Sequence, residues 1–129
     1  MKYYFAKTLS DTSFDDAIAR ATDALKQEGF GILTDIDVKA TMKKKLDKDF
    51  RDYRILGACN PEMAWQALQV EARIGTMLPC NVIVQALDNG DVEVAAVDPV
   101  ASMQAVDNPG LAGVAADVRD RLKRVIDAL

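Results

Sequence analysis

The stretch CNVIVQALDNGDVEVAAVDP, residues 80–99, restricts the fold more than any other part of the chain. VIVQAL and VEVAAV are β-branched runs of strand length, and Asn89-Gly90 between them supplies two residues that tolerate positive φ. The pattern predicts a two-residue type I′ hairpin. An antiparallel pair is therefore written into the sequence, and two strands alone do not make a stable unit in water. The remaining segments have to extend that sheet and cover it.

Their patterns alternate between the two periods. KYYFAKTL (2–9) reads as a first strand, with Tyr3, Phe5 and Leu9 broadly alternating. A helix over 14–28 follows: Ser13 and Asp16 make a start like a capping box, Asp15 and Asp16 suit the positive end of the dipole, and Gly29 stops it. Phe14, Ala17, Ile18, Ala21 and Leu25 give that helix its apolar face. FGILTDIDV (30–38) is a second strand, antiparallel to the first or one strand removed from it, and KATMKKKLDKDF (39–50) a short helix. YRILGAC (53–59) is a strand running into a helix from Pro61 to Ile74, with Asn60 as its cap and Gly75 as its terminator. Residues 100–107 show no more than a helical turn. Leu111, Val114, Val118, Leu122, Val125 and Leu129 then form the stripe of a last helix opened by Asn108-Pro109, with Asp117, Arg121 and Arg124 turned toward water. No linker, repeat or low-complexity tract interrupts residues 1–129. The expected fold is a single α+β domain with one mixed or antiparallel sheet and helices on one face, in the order β-α-β-(short α)-β-α-β-β-α.

The 129 residues suffice for a core without disulfide or metal staples, and 50% hydrophobic with 28% charged residues excludes the disordered class. No apolar run reaches the roughly 18 residues of a membrane span, and MKYYFAKTLSD has no signal-peptide core. A cytoplasmic protein is the expectation, with cysteines kept as thiols. A net charge of -4 gives no overall attraction to nucleic acid. The chain has no histidine, which removes Ser-His and Cys-His nucleophilic pairs, histidine metal ligands and the usual base near neutral pH.

The functional candidates cluster at YRILGACNP (53–61) and LPCNV (78–82), which hold the two cysteines, each followed by asparagine and each near a proline. Cys59 precedes a helix N-terminus, where the dipole favours thiolate. No lysine, arginine or histidine adjoins it to add to that effect, so the competing reading is a small buried residue ending a strand. If a helix of about 20 Å is a crossover between parallel strands, Cys59 and Cys80 lie at opposite ends of the sheet, and their sulfurs meet only if residues 75–79 run back along it. A two-thiolate metal site would also lack histidine partners and need carboxylates or a second subunit, which leaves soft-metal binding across a dimer as the alternative. Asn60 and Asn108 are explained as caps. Asn81 opens an apolar strand and reads either as a ligand contact or as a buried amide satisfying loop backbone. Asp35 and Asp37 share one face of a strand and invite a weak metal hypothesis. The lysine-rich run 39–54 reads as a solvated helix face with pairs such as Lys43–Asp47 and Lys48–Asp52, with phosphate binding as the alternative.

YRILGACNP, LPCNVIV and the closing VDP after the hairpin, together with SFDDAIARATDALKQEGFGILTDIDVKATM, resemble the family numbered 302 among the domains of unknown function, over nearly the whole chain. The resemblance implies a small bacterial or archaeal α+β protein, a homodimer, with no established activity or ligand. The expected function is a binding or interaction module rather than an enzyme, with a small pocket or interface at Cys59, Asn60, Pro61, Pro79, Cys80 and Asn81. Its expected partners are a second copy and an unidentified small molecule, with no cofactor, metal, membrane or nucleic acid. The competing expectation is thiol redox or soft-metal chemistry through Cys59, Cys80 or both.

Overall fold

The computed structural model describes residues 2–129. Strands β1 (Tyr4–Leu9), β2 (Gly31–Asp37), β3 (Tyr53–Cys59), β4 (Cys80–Ala86) and β5 (Val92–Val97) form one sheet in the order β1-β5-β4-β3-β2, and every neighbouring pair is antiparallel. The α+β class and element order hold, and the sheet is antiparallel rather than mixed. β1 and β2, expected side by side or one strand apart, are the two edges. Helix α1 (Phe14–Gln27) makes that possible by crossing the sheet against β2, β4 and β5.

Alternation along the strands sorts the sheet into two faces. Leu56, Val82, Val84, Val94 and Ala96 point to one side and are buried with Ala17, Ala21 and Leu25 of α1 and Leu122, Val125 and Ile126 of α5 (Ala112–Asp127), which follows the single-turn helix α4 (Pro99–Ser102). A smaller cluster of Ala67, Ile74 and Leu111 joins α3 (Pro61–Val70) to the 3-10 turns Ile74–Met77 and Pro109–Leu111. Local signals hold where they were strongest. Ser13 Oγ accepts from the Asp16 amide, and Gly29, at φ +85°, takes the left-handed stop. Arg121 and Arg124, expected to face water, tie α5 to the end of α1: Arg121 donates to the Glu28 carbonyl and Arg124 to the Glu28 carboxylate.

Two boundaries differ from expectation. Helix α3 ends at Val70, not Ile74, because Asn108 donates its amide to the Val70 carbonyl and the chain leaves in extended form at Glu71. In the hairpin, Gly90 has φ +89° while Asn89 does not have positive φ, and the Gly90 amide donates to Leu87 O. That is a type I turn closed by a left-handed glycine, a three-residue loop instead of the type I′ turn. The short helix α2 (Val38–Leu46) is capped by Asp37 and stops at Asp47, which adopts φ +51°.

Candidate functional site

The two sequence motifs meet at one end of the sheet. β3 and β4 are antiparallel neighbours with Ala58 opposite Cys80, so the last residue of β3 and the first of β4 lie side by side. This corrects the expectation that Cys59 and Cys80 occupy opposite ends. α3 is not a crossover between parallel strands; with the following 3-10 turn it brings the chain back to the end it left. Being one residue out of register, the cysteines follow opposite directions of the pleat. Cys80 joins Val82 and Val84 in the core, whereas Cys59 follows Ile55 and Gly57 toward the other face and is partly exposed. Both thiols are free.

A small cavity of about 40 Å³ lies behind this strand end, bordered by Cys59, Met63, Cys80, Pro99, Met103 and Val118 among others. It has room for a water-sized group and is far below the size of a metabolite site. Burial pushes the Cys59 thiol above its ordinary value. Burial, with a smaller contribution from Cys59, pushes Cys80 up to about 11. These directions are opposite to the one a helix N-terminus would impose on Cys59. A reactive thiolate needs the reverse.

The other motif residues shape the backbone. Asn60 Oδ1 accepts from the Met63 amide, and Pro61 starts α3. Asn60 also rests on Gly29, where an added Cβ would lie 2.9 Å from its Nδ2. Pro79 follows a cis peptide bond and packs on Gly57; a Cβ there would lie 2.8 Å from Pro79 Cγ and overlap Thr34 Oγ1. Asn81 is exposed, which corrects its reading as a buried amide. It borders a different hollow, on the side of the sheet away from α1 and α5.

That side is the feature sequence reasoning missed. Tyr4, Ile83, Gln85, Glu93, Ala95 and Tyr53 are among the residues that face it, around a depression of about 450 Å³. One row crosses the whole sheet in register: Ala6 opposite Ala95, Ala95 opposite Ile83, Ile83 opposite Ile55, and Ile55 opposite Ile36. A polar chain closes one end, where Arg51 donates to Gln85 and Gln85 donates to Glu93. The alternation of VIVQAL held the signal, since Ile83 falls out of phase with Val82 and Val84.

The carboxylate pair also finds its role. Asp35 and Asp37 share a face as expected, with Arg54 between them at 2.9 and 3.6 Å. A guanidinium already occupies the place proposed for a cation, and no metal-binding group of three or more acidic, cysteine or histidine residues occurs among the described residues. In the basic run, Lys43–Asp47 forms as expected, and Asp52 pairs with Lys39 rather than Lys48.

Compared with known proteins, residues 5–129 match the family model described as Domain of unknown function DUF302. A crystal structure of an uncharacterized conserved protein DUF302 from Bacillus stearothermophilus is similar at 29% identity and TM-score 0.91, covering 99% of this chain and 98% of that one. No curated protein matches. No helix among the described residues is long and apolar enough to cross a membrane.

Proposed function

Because the chain belongs to the family Domain of unknown function DUF302, whose name carries no activity, we propose from its own geometry that it is a non-catalytic interaction module working as a homodimer. The observation that carries this reading is the apolar row Ala6-Ala95-Ile83-Ile55-Ile36 on the sheet face away from α1 and α5, with Ala6 and Ile36 exposed, Ile83 and Ile55 half-buried and Ala95 buried. Monomeric domains rarely carry large contiguous apolar patches on a sheet face. The motif residues Cys59, Asn60, Pro61, Pro79, Cys80 and Asn81 support that face from one end, as cap, packing and strand start. The cavity behind them is too small to hold a metabolite. The two free thiols agree with a cytoplasmic setting. The thiol alternative draws less support, since burial raises both groups. Native mass spectrometry of protein purified without reductant or chelator tests the proposal. The expected result is a dimer without bound metal or thiol modification. A monomer turning over a substrate, or a stoichiometric soft metal on the cysteines, would overturn it.

A further inference from the structure

We infer that the second copy docks face to face on the side of the sheet away from α1 and α5, about a two-fold axis passing close to Ile83. The inference rests on the homodimer reading above and adds the surface. β4 is the central strand of the five, and Ile83 is the middle residue of Cys80–Ala86, so Ile83 sits at the centre of the face. A two-fold axis there brings the apolar row of one protomer across the row of its partner, in the manner of two aligned sheets packing with a small crossing angle.

Charge favours a copy over an unlike partner. The charges at this face are Glu93 and the neighbouring Arg51, and Gln85 engages both, accepting from Arg51 at 2.9 Å and donating to Glu93 at 2.8 Å. Such a surface offers little for a charged partner to complement and much for an identical apolar one. The area is also adequate. Five strands about 4.8 Å apart and about 20 Å long give a footprint near 500 Å² per copy, or about 1,000 Å² in all, at the threshold of a biological interface.

Other surfaces serve less well. The edge strand β2 carries Asp35 and Asp37 and is broken by a bulge between Ile32 and Thr34, features that block edge-to-edge pairing. Trp65 and Leu68 are exposed on α3, at 67% and 42%, but they form a short stripe on one helix.

Sedimentation equilibrium of the full chain with Ile83→Glu, Ile55→Glu and Trp65→Glu, each checked by far-UV circular dichroism, tests the assignment. Wild type and Trp65→Glu are expected to be dimers. Ile83→Glu and Ile55→Glu are expected to be folded monomers, with Kd raised roughly 100-fold or more by an unpaired carboxylate at the interface. Should a glutamate variant fail to fold, Ile83→Thr keeps the branched shape and is expected to raise Kd roughly tenfold. Folded sheet-face variants that remain dimeric, or dissociation by Trp65→Glu alone, would overturn the surface and leave the homodimer standing. A wild-type monomer at about 100 µM would remove both.

Discussion

Cys80 offers the sharpest measurement on the motif end of the sheet. Its thiol is raised from 9.0 to about 11, chiefly by burial. At pH 7 an ordinary thiol of that starting value is about 1% ionised, and Cys80 about 0.01%, so its reaction with a thiol reagent is slowed about 100-fold before steric protection is counted. The same shift affects stability. The neutral thiol is the form the fold prefers, so this contribution is intact below pH 9 and is lost as pH climbs from 9 toward 11. Two units correspond to about 3 kcal/mol. The assay is labelling by a chromogenic disulfide at pH 7 in Cys59→Ala, which leaves Cys80 as the reporter, followed by urea unfolding of wild type and Cys80→Ala between pH 8 and pH 11, a range set by that titration. Wild type should lose stability more steeply than Cys80→Ala over that interval. Native labelling of Cys80 within tenfold of a free thiol, or parallel pH profiles in the two proteins, would refute the reasoning and revive the reactive-thiol account.

Three further perturbations probe the frame around the sheet face. Gly57→Ala puts a Cβ against Thr34 Oγ1 and 2.8 Å from Pro79 Cγ, so it should cost about 1–3 kcal/mol in urea unfolding. Adding Thr34→Ala should recover part of that cost; Gly57→Ala within about 0.5 kcal/mol of wild type would contradict the contact. Asn60→Ala removes the cap of α3 and should destabilise by about 1 kcal/mol, whereas no change would mean the Met63 amide finds another acceptor. Ile74→Ala empties the centre of the smaller cluster and should cost about 2–5 kcal/mol; a loss below about 1 kcal/mol would show that cluster to be dispensable.

The candidate site was legible only in pieces. Asn60-Pro61 announced a helix start, because a cap and a preset φ act on the next three residues alone. The shared Cys-Asn and nearby proline single out Cys59 and Cys80, but a crossover reading sets them at opposite ends of the sheet. That placement assumed parallel strands, and nothing in either motif reports strand direction. Asp35 and Asp37 were correctly put on one face, but the cation between them, Arg54, comes from the next strand. Val82 and Ile83 are equally apolar, so the sequence does not say which of them faces the helices.

What the chain's own order of residues determined is the set of elements: their number, their type, and most of their caps and stops, including Ser13, Gly29, Asn60 and Gly90. Each depends on interactions within about one turn of backbone. The tertiary structure alone decided that β1 and β2 become edges, that the two cysteines adjoin, and that the row through Ile83 lies on the face away from α1 and α5. Those outcomes depend on which distant strand pairs with which, and on where α1 and α5 come to rest. Pairing of that kind is an energy shared between remote segments, and no local pattern of residues encodes it.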